Sequence, residues 1–328
     1  MAPQRRLPVD NHTQGKGGPR HHAGVEARVQ ALLTAHGHVC TTGQLRGVDV
    51  DELTVARLVR TGQLVRIRRG LFAEGSVWRK ATPEEQLALC ARAVLAERPD
   101  AAASHMSATV LHGLPAWGGP AGQVDIVCST PRRRHRSGIV LHPWPEGIEP
   151  VSIDRAAALP LPVAIVQVIV EHGVIPGLVC LDRALHDKRV SIDAILQAGD
   201  DLALGQRARR RLALAVGSAD AKCESVGETR TRILITDFGL EHRTQVNIHD
   251  AHGFVGRVDF LLGERVVVEF DGMIKYEGAE GRRALQEEKV REDRLRAAGY
   301  IVVRLIWSDL DNPKRVFDLI QRALHQAA

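Results

Sequence analysis

Two apolar segments near the C-terminus decide the fold: 254–262, which reads FVGRVDFLL, and 265–271, which reads RVVVEFD. Both alternate between large apolar residues and other residue types, and each therefore predicts a β-strand. The alternation places Asp259 on one face of the first strand, and Glu269 and Asp271 together on one face of the second. Because the strands are neighbours, we expect three carboxylates to converge.

A cluster of carboxylates at this point suits a divalent metal. Mg²⁺ prefers oxygen ligands in octahedral geometry and usually takes one or two carboxylates while retaining several waters. A bound metal activates water and stabilises charge on a phosphate. The sequence therefore predicts Mg²⁺, or Mn²⁺, at Asp259, Glu269 and Asp271. In the alternative interpretation, the acids simply end a strand, and Asp271-Gly272 is an ordinary turn.

The rest of the C-terminal region predicts helices around a small sheet. From Cys223 the patterns give a helix over 224–236, a strand over 244–248, the two strands above, a further helix, a strand and a last helix. Glu228 lies in the first helix, in the segment Ser225-Val226-Gly227-Glu228-Thr229-Arg230.

With these motifs in place, the region from Cys223 to the C-terminus resembles the very-short-patch-repair-like branch of the PD-(D/E)XK nucleases. The resemblance rests on RVDF at 257–260, VVEFDG at 267–272, EKVREDRL at 288–295, Gly299-Tyr300 and VRLIW at 303–307. It implies a restriction-endonuclease-like mixed sheet flanked by helices. It also implies that Asp259 and Glu269 are metal ligands, with Glu228 holding a second metal or a metal-bound water.

One position departs from the superfamily pattern. The pattern places Lys two residues after the glutamate, where this chain has Asp271. Lys275 follows four residues later, across a glycine at which the chain can turn back, and Lys289 lies in the following helix. We expect Lys275, ahead of Lys289, to supply the missing positive charge and complete the catalytic set of Glu228, Asp259, Glu269, Asp271 and Lys275.

The N-terminal part predicts three short helices followed by a basic hairpin over 63–72. This order is typical of a winged helix-turn-helix, in which the third helix enters the major groove and the wing reaches phosphates. The alternative is a winged helix used for protein contact, or a plain amphipathic bundle. The DNA-binding interpretation assigns contacts to Arg57, Arg60, Arg66, Arg68 and Arg69.

The segment from Gly37 to Phe72, with RTGQLVRIRRGLF at 60–72, is similar to the winged helix of AbiEi-type antitoxins. That resemblance implies promoter binding, autoregulation of an operon and a cognate toxin as partner. It is therefore a function of a different class from DNA cleavage.

The region between these two parts predicts a mixture of helices and strands. A capping box at Thr82-Pro83-Glu84-Glu85 opens a helix over 83–97. His105 and His112 flank a second helical stretch and are interpreted as structural. The arginine-rich segment 132–136 is interpreted first as a solvated loop between strands and second as a DNA contact. These patterns divide the chain into a disordered basic tail (1–24), a winged helix (25–78), an antitoxin-like α+β region (79–215) and a nuclease-like domain (222–328).

Composition limits the class of protein. The 328 residues carry a formal charge of +5, 44% are apolar and 4% are aromatic, which excludes fibrous and wholly disordered chains and leaves little material for stacking on single strands. The five cysteines are widely spaced and predict reduced core thiols. No apolar run reaches the ~20 residues of a membrane span, and no secretion signal is apparent, so we expect a cytoplasmic protein.

Together these patterns predict a multi-domain α/β protein that binds DNA and hydrolyses phosphodiesters with Mg²⁺ or Mn²⁺, in phage defence or DNA repair. The alternative is an AbiEi-like transcriptional regulator whose nuclease fold is inactive. Target sequence, the choice of DNA or RNA, and oligomeric state leave no pattern in the sequence.

Overall fold

The computed structural model describes residues 19–272 and 278–328. Over those ranges the chain forms 14 helices and three β-sheets, so the predicted mixed α/β class is confirmed. Among the helices of these ranges, none is long and apolar enough to cross a membrane.

The first part of the chain combines four helices with an antiparallel three-stranded sheet of order β1-β3-β2. Asp51 caps the third helix by accepting a hydrogen bond from the Thr54 amide at 2.7 Å, and the helix ends before Gly62 with its φ of +72°. The predicted hairpin forms from the next two strands. The elements are α1 (Pro19–Ala35), β1 (Val39–Thr41), α2 (Thr42–Gly47), α3 (Glu52–Arg60), β2 (Leu64–Arg68), β3 (Leu71–Glu74) and α4 (Gly75–Lys80).

The central part contains a six-stranded sheet of order β6-β7-β5-β4-β9-β8. Its strands are short: β4 (Ala102–Ala103), β5 (Val124–Cys128), β6 (Arg134–Arg136), β7 (Ile139–Pro143), β8 (Val151–Ile153) and β9 (Ala156–Ala158). Its helices are α5 (Pro83–Ala96), α6 (His105–Leu111), α7 (Leu161–His172), α8 (Val174–His186), α9 (Ile192–Asp201) and α10 (Gln206–Gly217). The capping box at Thr82 is confirmed, with both reciprocal hydrogen bonds to Glu85 present.

Several of these short strands are invisible in the sequence pattern. Part of the arginine-rich segment, expected to be a loop, forms the edge strand β6, which pairs with β7. Its three residues are exposed, so burial places no demand on their side chains and the period-2 signal is absent. Strands of two or three residues are likewise too short to display a period.

The C-terminal part has a four-stranded sheet of order β10-β11-β12-β13. The first three strands are antiparallel, and β13 runs parallel to β12, with Glu269 opposite Arg304. The order of elements from Cys223 follows the prediction, apart from one additional four-residue helix before the last helix. They are α11 (Val226–Asp237), β10 (His242–Asp250), β11 (Gly253–Leu262), β12 (Val266–Phe270), α12 (Gly278–Ala297), β13 (Ile301–Leu305), α13 (Trp307–Leu310) and α14 (Pro313–Ala327).

Apolar packing covers both faces of this last sheet. Phe260, Val268 and Leu305 pack with α14 on one side, and Val258 and Val267 pack with Leu295 of α12 on the other. Phe254, expected on an apolar face, is 57% exposed, because the register shifts at Ile248/His249 and breaks the alternation beside it.

Candidate functional site

Helix α11 and strands β11 and β12 bring three acids together. Ser225 caps α11 by accepting a hydrogen bond from the Glu228 amide at 3.1 Å. A Cβ atom at Gly227 would lie 2.0 Å from the Phe270 ring, so the missing side chain lets the helix pack against β12. Glu228 and Glu269 are both buried.

Asp259 lies within range of the charges of these two acids. Its Oδ2 accepts a hydrogen bond from the Phe270 amide at 2.9 Å. Burial, followed by the negative charges of Glu228 and Glu269, raises the pKa of Asp259 from 3.8 to about 7, against the opposing effects of the Phe270 amide and Arg291. Glu228, Asp259 and Glu269 are therefore near enough for their charges to interact, whereas the convergence expected from the two strands was of Asp259, Glu269 and Asp271.

Gln245 connects two of the acids. Its side-chain nitrogen Nε2 lies 2.9 Å from Glu228 Oε2 and 3.5 Å from Asp259 Oδ1. Its backbone has a φ of +55°, a left-handed conformation inside strand β10 that non-glycine residues rarely adopt. Strained residues of this kind cluster at functional sites. Sequence reasoning missed Gln245, because one polar residue between Thr244 and Val246 forms no pattern that marks it as functional.

An arginine pair surrounds Glu269. Nη2 of Arg291 lies 2.8 and 2.9 Å from the two carboxylate oxygens of Glu269, and also 2.9 Å from Glu288. Arg304 lies 3.8 Å from Glu269, contacts Glu288, and pairs with Glu292 at 3.2 Å. A Cβ at Gly256 would lie 2.9 Å from Arg291 Cδ, so this glycine leaves the space in which the arginine crosses β11. Among the described residues, Arg291 from α12 is therefore a cation in direct contact with Glu269, and sequence reasoning did not single it out.

The other predicted members of the catalytic set occupy different surroundings. Asp271 is half-buried just after β12, and its backbone amide donates to the Leu305 carbonyl at 2.8 Å. Lys275 lies outside the described residues. Lys289 is exposed on α12. Within the described ranges, Asp259, Glu269 and Asp271 do not bring three ligand atoms within 4.8 Å of one another.

The five arginines predicted to contact DNA divide into two groups. Arg60, Arg66 and Arg69 are exposed, and the Arg66 guanidinium lies 5.4 Å from the centre of the Phe72 ring. Arg57 pairs with Glu26 at 3.1 Å. Arg68 reaches across to the central sheet instead, where its guanidinium donates to three backbone carbonyls, those of Gly122 (2.8 Å), Gly138 (3.1 Å) and Ser137.

A second cluster of titratable groups lies in the central sheet. His105, Asp125 and His142 are buried, and one potential ligand atom from each lies within 4.8 Å of the others, so this group could hold a metal. His142 Nε2 is 2.9 Å from Asp125 Oδ1, and the rings of His105 and His142 stack with centroids 4.0 Å apart. Burial, then the neighbouring His142, lowers the pKa of His105 to about 3.

His105 and His112, both interpreted as structural, differ in this respect. His112 Nε2 lies 2.9 Å from the Leu159 carbonyl oxygen and takes no part in the cluster. Sequence reasoning missed the cluster around His105 because its members come from α6, β5 and β7, at separations that match no metal-binding spacing.

Comparison with known proteins gives no further assignment: no protein-family model and no curated protein matches this chain.

Proposed function

We propose that this protein binds DNA and hydrolyses its phosphodiester bonds, with Mg²⁺ or Mn²⁺ held in the C-terminal region. In this proposal residues 222–328 form the restriction-endonuclease-like unit, residues 25–78 form the winged helix that contacts DNA, and residues 79–215 connect them. DNA is the expected partner.

The observation that carries the proposal is the burial of Asp259 within range of the charges of Glu228 and Glu269. Carboxylates held together in a partly desolvated place repel one another, which raises the free energy of the ionised state. The pKa of about 7 at Asp259 reports this unfavourable arrangement. A divalent cation would remove the repulsion, and oxygen ligands of this type are those that Mg²⁺ prefers.

The donor set fits a metal of this class. Asp259 and Glu269 would hold it directly, and Glu228 and Asp271 would hold its waters by hydrogen bonds. When bound, the metal supplies a more acidic water and a positive charge for the phosphate. Gln245, bonded to Glu228 and directed at Asp259, fixes the separation of these two acids.

Arg291 is a positively charged side chain at Glu269, and the role expected of Lys275 stays a prediction. In the protein without metal Arg291 neutralises Glu269 at 2.8 Å. A metal on Glu269 would compensate the same charge and release the guanidinium toward an incoming phosphate. Arginine suits that role because its planar donors match phosphate oxygens, whereas its pKa prevents it from acting as a base.

Nicking of supercoiled plasmid with and without Mg²⁺ tests the proposal. We expect Asp259→Asn and Glu269→Gln each to lower the cleavage rate at least about 100-fold, the scale on which a preorganised charge interaction contributes to catalysis. Glu264→Gln is the matched control, because Glu264 is an exposed acid in the turn between the same two strands. It should cleave at the wild-type rate.

Circular dichroism of each variant separates loss of chemistry from loss of fold. Cleavage by folded Asp259→Asn and Glu269→Gln proteins at the wild-type rate would show that these acids are not the site. Equal loss in Glu264→Gln would show that the effect is not specific.

The alternative function also has an observation in its favour. Arg291 already occupies both oxygens of Glu269, and Asp271 stands where the nuclease pattern has lysine. An AbiEi-like regulator with an inactive nuclease fold would bind DNA and a cognate toxin without cleaving. Specific DNA binding with no cleavage under Mg²⁺ or Mn²⁺ would favour this function.

A further inference from the structure

The buried histidines of the central sheet have no role in the proposed nuclease chemistry. His105 begins helix α6, Asp125 lies in β5, His142 lies in β7, and His172 ends α7. The surroundings of these four side chains differ from those of an ordinary core, because imidazole and carboxylate groups replace apolar packing there.

The backbone and the ring of His105 are both held in place by neighbouring groups. Its backbone has a φ of +49° and its amide donates to Gln167 Oε1 at 3.0 Å. Its Nδ1 lies 3.0 Å from the Ser104 hydroxyl oxygen. Metal-binding histidines commonly use one ring nitrogen for a hydrogen bond of this type, which orients the other nitrogen toward the metal.

Asp125 and His142 already share a bridging contact. Asp125 Oδ1 lies 2.9 Å from His142 Nε2, and Gln123 Nε2 lies 3.1 and 3.2 Å from the two carboxylate oxygens. Donor atoms around a tetrahedral zinc ion lie about 3.3–3.4 Å apart, given metal–ligand bonds of ~2.0–2.1 Å. Replacing the proton between Asp125 Oδ1 and His142 Nε2 by a metal would therefore require these two atoms to move apart by about 0.5 Å.

His172 supplies an independent observation. Its Nε2 is a buried atom for which no hydrogen-bond partner exists among the described residues. The rings of His172 and His105 meet edge to face with centroids 6.3 Å apart. Buried polar atoms are nearly always satisfied, so this nitrogen indicates a partner outside the described residues.

We propose that His105, Asp125, His142 and His172 form a structural site for a divalent transition metal of the zinc type. Three neutral imidazoles and one carboxylate suit Zn²⁺, whereas Mg²⁺ prefers oxygen ligands. Burial of the first three ligands leaves no open position for a substrate, which is typical of a structural site. The metal would join two strands of the central sheet to helices α6 and α7.

The site also lies next to the backbone carbonyls that bind Arg68. Gly122 and Gly138, whose carbonyls bind Arg68, flank the strands that carry Asp125 and His142. A bound metal would therefore stabilise the surface that Arg68 of the β2–β3 hairpin contacts.

Isothermal titration of the EDTA-treated full-length protein with Zn²⁺, and with Co²⁺ as a spectroscopic probe, tests the site. Each titration is made in the Asp259→Asn/Glu269→Gln background, so that the C-terminal acids do not contribute. We expect one equivalent to bind, with the visible absorption of tetrahedral Co²⁺, and saturating Zn²⁺ to raise the thermal midpoint by about 5–10 °C.

Single variants identify the ligands. Asp125→Asn and His105→Gln should abolish the Co²⁺ absorption and the midpoint shift, and His172→Gln should weaken Zn²⁺ binding at least about tenfold. His112→Gln is the matched control, because His112 is a histidine of the same region bonded to a backbone carbonyl. It should bind like the parent protein.

The fold of each variant is checked by circular dichroism in EDTA, where all should match the metal-free parent. Absence of one tight equivalent in the folded parent overturns the site. Unchanged binding in Asp125→Asn or His105→Gln overturns its ligand assignment, and unchanged binding in His172→Gln overturns the fourth ligand. Equal loss in His112→Gln also overturns the proposal, since the binding would not be local.

Discussion

At the scale of single residues, the candidate active site holds two acids with opposite electrostatic balances. Glu269 faces Arg291 at 2.8 Å, so its negative charge is compensated. Asp259 faces Glu228 and Glu269 in a partly desolvated place, so its charge is opposed. Neutralising substitutions should therefore change the free energy of unfolding in opposite directions at the two positions.

The stability of Asp259→Asn should depend on pH in a defined way. The folded pKa of about 7 lies above the ordinary 3.8, so the folded protein binds more protons between these values and wild-type stability falls as pH rises through them. This loss of wild-type folding stability is complete above about pH 7 and amounts to at most about 4 kcal/mol. Asp259→Asn removes it, so we expect the variant to gain stability relative to wild type between pH 4 and pH 8.

Urea unfolding at the two pH values, without divalent metal, measures this difference. Glu269→Gln should show no such gain, because it removes one of the two carboxylates, Glu269 and Glu288, that pair with the Arg291 guanidinium. A pH-independent difference between Asp259→Asn and wild type would show that Asp259 titrates normally.

At the scale of secondary structure, the hairpin of β2 and β3 carries arginines that make different contacts. Arg66 and Arg69 are exposed on β2 and its turn, whereas Arg68 is bound to carbonyls of the central sheet. Alternation along a strand distinguishes faces but does not tell which face meets another part of the same chain.

Replacing Arg66 and Arg69 by Ala should weaken DNA binding on all sequences alike. Each lost phosphate contact should lower the salt slope of log K by about 0.9, since fewer counterions are released. Fluorescence anisotropy over a salt series measures the slope. Arg68→Ala is the contrasting variant: we expect it to keep the slope and to lose about 1–3 kcal/mol of folding stability, because three hydrogen bonds to backbone carbonyls are removed.

An unchanged slope in the Arg66→Ala/Arg69→Ala protein would show that the wing does not contact phosphates. A slope reduced as much by Arg68→Ala would show that its carbonyl contacts are given up on DNA.

At the scale of the whole molecule, a buried ion pair joins the central part to the C-terminal part. Asp182 of α8 lies 2.7 Å from Arg232 of α11, and the Thr229 hydroxyl donates to the same carboxylate at 2.9 Å. The Asp182 side chain is 0% exposed and that of Arg232 is 7% exposed. The helix that carries Glu228 is thus fixed to the central region.

Asp182→Asn should destabilise the protein by about 3–5 kcal/mol, because it leaves the charge of Arg232 buried without a counter-ion. Asp187→Asn, at the end of the same helix, is the control: its partner Arg183 is largely exposed, and we expect a change within about 0.5 kcal/mol. Urea unfolding measures both. Equal stability of the two variants would contradict the interpretation that this pair fixes α11.

The sequence by itself determined the order of elements from Cys223 onward, the capping box at Thr82 and the alternation that places Asp259 and Glu269 near each other. These features depend on neighbours within a few residues along the chain, and local patterns record them. The spacing of residues along α12 did not identify Arg291 as a contact of Glu269, because it does not show which strand the helix covers.

Tertiary structure alone decided the remaining parts of the candidate sites. Gln245 meets Glu228 because a strained strand residue faces the end of α11, and His105 meets Asp125 and His142 because three separate elements end at one place. Arg68 differs from Arg66 through contacts with residues more than 50 positions away. Each of these contacts depends on packing between distant segments, and such packing leaves no periodic pattern in the local sequence.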